Sequence, residues 1–122
     1  MTQNQLARVL IVDGDPAVRA LATILLAEEG IEVIEAADGA HALELLAGEV
    51  EVDALLLDIH VPGMDSRAFV REAREHGIHT PVIVLSHAYG PGTLAEELSA
   101  QGHLRKPFTP EDLIRVLRST GE

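Results

Sequence analysis

The sequence predicts an α/β domain: a five-stranded parallel sheet between two layers of helices, a three-layer sandwich. Three observations carry this. Short apolar runs alternate with stretches of helical periodicity along the chain, the order that builds a parallel sheet with covering helices. The runs are continuous rather than alternating, as in strands buried on both faces. The length of 122 residues suits one domain, and 47% apolar residues suffice for a real core.

The elements follow in order. The first strand covers residues 9–12 and ends at Asp13. The first helix is expected over 16–29, with Asp15 as N-cap, Pro16 at N1 and Gly30 as the stop. Val18, Leu21, Ala22, Leu25 and Leu26 mark its apolar face. The second strand, 31–36, ends on nothing reactive. The second helix starts near Gly39 and carries Ala42, Leu43, Leu45 and Leu46. The third strand, 52–58, ends at Asp58. The third helix spans 66–76 with Phe69 and Val70 inward, capped by Asp65 or Ser66. The fourth strand, 81–85, ends at Ser86. A Gly/Pro loop at 89–92 leads to a short fourth helix over 93–100. The fifth strand, 103–105, ends at Lys106. The last helix runs over 110–119, with Thr109 as N-cap, Pro110 at N1, and Glu111 and Asp112 where the helix dipole favours acids. Right-handed crossovers wrap the five units into the sandwich.

Composition narrows the function. Aromatic residues make up 2%, so the core is aliphatic. There is no cysteine, which removes disulfides and thiolate metal sites and fits a reducing, cytoplasmic location. No apolar run is long enough to cross a membrane, and the N-terminus lacks the pattern of a secretory signal. A net charge of −11 disfavours direct nucleic-acid binding, which calls for a basic patch. Residues 1–122 are expected to form one domain, with 1–6 as a disordered tail.

Ligands of an open parallel sheet sit outside the carboxyl ends of its strands. Four of the five runs end there on Asp13, Asp58, Ser86 and Lys106. Two carboxylates, a hydroxyl and an ammonium on one edge suit a metal and a phosphoryl group. An aspartate at a strand end usually caps or turns. Here Pro62-Gly63 supplies the turn and Asp65 or Ser66 the cap, which leaves Asp58 without a structural task. Asp13 would repel Asp58 and raise its pKa unless a cation intervenes. Mg²⁺ is the natural cation for carboxylates, water and phosphate, and the backbone carbonyl of His60 is a further oxygen. Lys106 lies between an apolar strand and Pro107. Its ammonium, about 4 Å from an oxygen on Asp58, would contribute about 4 kcal/mol at an effective dielectric near 20. Ser86 can hydrogen-bond the same oxygen.

At these residues the chain resembles the response-regulator receiver domains of two-component systems. The resemblance covers nearly the whole length. It rests on Val-Asp-Gly-Asp-Pro (12–16), Leu-Leu-Leu-Asp-Ile-His-Val-Pro-Gly-Met-Asp (55–65), Val-Leu-Ser (84–86) and Lys-Pro-Phe-Thr-Pro-Glu-Asp-Leu (106–113). It implies a flavodoxin-like (βα)5 fold with strand order 2-1-3-4-5. It also implies a signalling domain rather than an enzyme, limited to self-catalysed phosphoryl transfer and autodephosphorylation. Asp58 would accept a phosphoryl group from a sensor histidine kinase or phosphotransfer protein. Asp13, Asp58 and the His60 carbonyl would hold Mg²⁺. Lys106 would bind the phosphoryl group, after a cis Lys106–Pro107 bond, and Ser86 would be the switch hydroxyl. Phosphorylation would draw Ser86 in and free His103 to turn inward. The face of the fourth helix, fifth strand and last helix would shift toward a downstream protein or output domain.

The departures from the family pattern are specific. The second acid of the Mg²⁺ pair falls on Gly14, and Asp15 is committed to capping, so Mg²⁺ binding is expected to be weakened. His87 stands where a small residue usually follows the switch hydroxyl, and His103 takes the place of the switch aromatic. The segment between Ser86 and Lys106 is shorter than the family's usual length, which bears on where the fourth helix starts and on the part of the output face that moves on activation. These departures motivate an alternative: a degenerate receiver working as a phosphorylation-independent interaction module. A cofactor domain or hydrolase on the same fold is a third reading. It is disfavoured because Asp13-Gly14-Asp15-Pro16 lacks a phosphate cradle. His60, His87 and His103 suggest a transition-metal site, against which His60 offers only its carbonyl. Arg115 and Arg118 opposite Glu96 and Glu97 would support a homodimer, with solvated surface charge as the plainer reading.

Overall fold

A computed structural model describes residues 6–48, 50–86 and 102–120. Its elements are β1 (Arg8–Val12), α1 (Pro16–Ala27), β2 (Glu32–Ala36), α2 (Gly39–Ala47), β3 (Ala54–Asp58), α3 (Ser66–Glu75), β4 (Val82–Ser86), β5 (Gly102–Arg105) and α4 (Pro110–Thr120). The expected loop at 89–92, the short helix over 93–100 and His87 lie outside the described residues.

The five strands form one sheet in the order β2-β1-β3-β4-β5, with every pairing parallel. This is the expected flavodoxin-like order. The register aligns Val12 with Ala36 and Leu57, Asp58 with Leu85, and Ser86 with Arg105. All the strands therefore end at one edge, which puts Asp13, Asp58 and Ser86 side by side along it.

Side chains alternate across a strand, so β1, β3 and β4 feed two separate cores. Leu10, Val12, Leu55, Leu57, Val82 and Val84 pack with α2 and α3 around Phe69. Val9, Ile11, Ala54, Leu56, Ile83 and Leu85 pack with α1 and α4 around Leu26, Phe108, Leu113 and Leu117. Leu6 packs against this second core, while residues 1–5 lie outside the described residues.

The edge strands differ from the central ones. In β2, Glu32 and Glu35 are exposed and Val33 and Ile34 are half-buried, because an edge strand has one neighbour and less cover. β3 begins at Ala54 rather than at Val52, since the Asp53 carboxylate turns to accept the N–H groups of Ala7 (2.8 Å) and Arg8 (3.0 Å). α1 ends at Ala27, two residues short of the expected end. Gly30 (φ +77°) closes it, with Ile31 N–H donating to the Leu26 carbonyl at 2.9 Å and Gly30 N–H to that of Ala27 at 3.0 Å. This is the Schellman pattern. Leu21, expected inward, is 42% exposed, because α1 touches the sheet through a narrow stripe centred on Ala22 and Leu26.

The caps follow the sequence. Asp15 accepts the N–H of Ala17 and Asp65 that of Arg67. Thr109 and Asp112 cap α4 reciprocally: the Asp112 N–H donates to Thr109 Oγ1 at 3.0 Å, and the Thr109 N–H to Asp112 Oδ2 at 3.3 Å.

Candidate functional site

Asp13 follows four fully buried residues and is 1% exposed. A carboxylate at that depth needs partners. Its Oδ2 accepts from Lys106 Nζ at 2.6 Å and its Oδ1 from the Asp15 N–H at 2.9 Å. Its backbone is held as well, with its N–H on the Ala36 carbonyl (3.2 Å) and its carbonyl on Arg19 Nη1 (2.6 Å). Asp15 is turned away to its capping bond, as its place in the sequence implied.

Lys106 follows β5, is buried, and precedes Pro107 through a cis peptide. Its N–H donates to the Ser86 carbonyl at 2.8 Å, which ties the end of β5 to that of β4. Its ammonium lies 2.6 Å from Asp13 and 3.7 Å from Asp58 Oδ1. The sequence pointed this lysine at Asp58. The shorter contact is to Asp13, the more deeply buried acid of the two.

Asp58 ends β3, and its Oδ1 also accepts the His60 N–H at 3.1 Å. Burial pushes its carboxyl above the ordinary range. The His60 N–H opposes that rise, the Asp13 charge adds to it, and the Lys106 and His60 charges work against it. The repulsion from Asp13 is thus present as expected, with Lys106 as the intervening cation. Ser86 is buried at the end of β4, beside these groups.

Asp13, Asp58 and the His60 carbonyl would offer a hard divalent cation the oxygen donors it takes. Burial, with a smaller share from the Asp13 charge, raises the Asp58 carboxyl, and a cation between the two would oppose both. These residues fit Mg²⁺, with two carboxylates instead of three. Among the described residues no three histidines or acids come together as a metal cluster.

Gly14 is exposed, and its backbone lies outside the left-handed region. A Cβ there would stand 2.7 Å from Pro62 Cγ. His103 on β5 is exposed in this state. Arg115 pairs with Asp112 and Arg118 with Glu29, both at the surface, while Glu96 and Glu97 lie outside the described residues.

Two residues of this site were not singled out from the sequence. Arg19 donates to the Asp13 carbonyl and to Glu35 Oε1 (3.0 Å), while Thr23 Oγ1 also reaches Glu35 (3.2 Å). Its signal was a cation near a helix N-terminus, where the dipole disfavours it. Pro62 read as a turn residue, and its packing over Gly14 leaves no mark in the sequence.

Comparison with known proteins agrees with this geometry. The model of the response regulator receiver domain matches residues 9–118. The response regulator MprA of Mycobacterium ulcerans is 34% identical over 114 residues, 92% of this chain and 49% of that protein. The chain therefore spans about half the length of the curated relatives it matches. The chemotaxis response regulator CheY4 of Vibrio cholerae has a TM-score of 0.83 at 32% identity, covering 94% of this chain and 98% of that one. The receiver domain of the sensor histidine kinase PA1611 of Pseudomonas aeruginosa has a TM-score of 0.81 at 27% identity, covering 94% and 97%. That structure is described with a magnesium ion coordinated in its active-site cleft.

Proposed function

We propose, from the premise that this chain belongs to the response regulator receiver domain family, that it accepts a phosphoryl group on Asp58 and relays the change to a partner. The donor is the phosphohistidine of a sensor histidine kinase or phosphotransfer protein, and the recipient of the signal is a downstream protein or output domain. A cytoplasmic location goes with this reading. The observation that carries it is the buried Lys106 ammonium, 2.6 Å from Asp13 and 3.7 Å from Asp58. It is a preplaced charge at the point where a phosphoryl group on Asp58 would add negative charge.

An Asp58 oxygen attacks phosphorus; a P–O bond forms as the P–N bond to the donor imidazole breaks, and the bonding pair leaves with the imidazole. Asp58 must be ionised to attack. Asp13 holds Lys106 in place, and Arg19 holds the Asp13 backbone. Mg²⁺, held by Asp13, Asp58 and the His60 carbonyl, would add positive charge beside the phosphoryl oxygens. Ser86 is the hydroxyl that follows the new group, and His103 the side chain that turns inward behind it.

The second reading is a degenerate receiver that binds its partner whatever the state of Asp58. Gly14 favours it, since it withholds one of the acids that would hold the cation. Intact-mass spectrometry after incubation with Mg²⁺ and a small phosphodonor separates the two. One added phosphoryl group, absent in Asp58→Asn, supports the first. No adduct with either a small phosphodonor or a cognate kinase, together with partner binding unchanged in Asp58→Asn, establishes the second.

A further inference from the structure

We propose that the apolar groove between α2 and α3 docks a basic segment of a partner protein, with an apolar side chain entering the groove between flanking lysines or arginines.

Helical spacing builds this groove. Leu43 and Ala47, with Ala40, fall on one side of α2, and Glu72 and His76, one turn apart, on the facing side of α3. Between the helices lies a cavity of about 310 Å³. Its floor is Leu43, Met64 and Ile78, each half-buried against the core around Phe69. Ala40 and Ala47 are exposed, and their side chains are too short to cover that floor. Apolar surface left wet in a concave site favours an apolar guest. Met64, unbranched and flexible, can adapt to the shape of one.

The rim carries charge of one sign. Glu44 stands on the α2 wall and Glu72 on the α3 wall, both exposed. Neither is in an ion pair among the described residues, and no lysine or arginine among them lines the groove. Arg67, Arg71 and Arg74 follow at i, i+4 and i+7 along a different side of α3. Arg74 is also spent on the carbonyls of Ile78 (2.9 Å) and Thr80 (3.2 Å). The His76 ring is held to the Glu72 carbonyl at 2.9 Å. Two uncompensated acids over an apolar floor complement an apolar side chain set between cations. The net charge of −11 draws a basic segment in and repels an acidic one. The groove lies on the sheet face opposite α1 and α4, so its occupant leaves α4 uncovered.

The test titrates the full chain, ¹⁵N-labelled, with a synthetic peptide of one leucine flanked by lysines and follows the amide signals. Two control peptides replace the lysines by glutamate or the leucine by serine. The leucine–lysine peptide is expected to shift signals of α2 and α3 and of Met64 and Ile78, and to bind about fivefold tighter than either control. Glu44→Lys/Glu72→Lys is expected to weaken it by about fivefold or more, whereas Glu28→Lys/Glu111→Lys, the same change of charge on the other layer, leaves most of the affinity. Ala40→Gln/Ala47→Gln fills the groove at two exposed positions without changing the charge, and is expected to weaken binding as much; its urea midpoint checks that the fold is kept. Equal loss in the two charge variants, or equal binding of the serine peptide, reduces the effect to net charge and overturns the proposal. Absence of binding, or shifts centred outside α2 and α3, overturns it too. Self-association of the parent that Ala40→Gln/Ala47→Gln abolishes gives the groove to a second copy of the chain and overturns the assignment to a basic partner.

Discussion

Lys106→Met keeps the length of the side chain and removes its charge. In the parent, Lys106 Nζ stands 2.6 Å from Asp13 and 3.7 Å from Asp58. At an effective dielectric near 20 those attractions are about 6 and about 4 kcal/mol, before the cost of burying the ions is subtracted. The variant leaves Asp13 buried, with the Asp15 N–H as its remaining side-chain partner among the described residues. Breaking a buried pair from one side costs about 3–5 kcal/mol. Unfolding entropy of ~2.1 cal/mol/K per residue converts this, for a chain of this length, into roughly 4 °C of Tm per kcal/mol, so Tm falls by about 12–20 °C. Asp58 also loses the cation that opposes its raised pKa. A raised carboxylate stabilises most while protonated, and that stability is lost as pH rises through its folded pKa. The deficit of Lys106→Met is therefore larger at neutral than at acidic pH. Millimolar Mg²⁺ should recover more stability in the variant than in the parent. Urea and thermal unfolding followed by circular dichroism measure all three effects. A loss below about 1 kcal/mol, or one independent of pH, would refute the account of Lys106 as the cation that makes this edge tenable.

Three further outcomes follow from the structure. Phosphorylation of Asp58 by a small phosphodonor slows on acidification with a midpoint above the ordinary aspartate value of about 3.9, since burial raises this carboxyl; a rate flat down to that value would contradict it. Leu56→Ala, in the middle strand and fully buried, costs about 2–5 kcal/mol by urea unfolding, and a cost below about 1 kcal/mol would mean the core is not packed as described. Thr109→Ala removes the N-cap of α4 and costs about 1 kcal/mol, with fraying of that helix visible as faster amide exchange at residues 110–113.

The strands and the polar residue ending each of them were legible because both are local: an apolar run and its next residue lie together in the chain. Asp15 and Thr109 were legible as caps for the same reason. The strand order came from the resemblance, since spacing alone does not decide which strand neighbours which. What stayed hidden depends on partners far along the chain. Leu21 is outward because the sheet meets α1 through a narrow stripe. Arg19 matters because Glu35, on another element, fixes it beside the Asp13 carbonyl. The preference of Lys106 for Asp13 reflects how deep each acid lies, which no spacing encodes. Gly14 read as a loss, and its fit beneath Pro62 needed the loop in place.

The Lys106–Asp13 bond joins residues 93 apart. In the sheet order it runs from the end of β5 to the end of β1, across β3 and β4. In kinetic terms it is expected to form late. No fragment that lacks either β1 or the end of β5 can make it, and the loop entropy it must overcome is mostly spent only once the intervening strands have docked. Interactions absent from the folding transition state act on the rate of unfolding and leave that of folding nearly unchanged. The pair that joins the two ends of this edge is thus expected also to set how long a folded molecule stays folded.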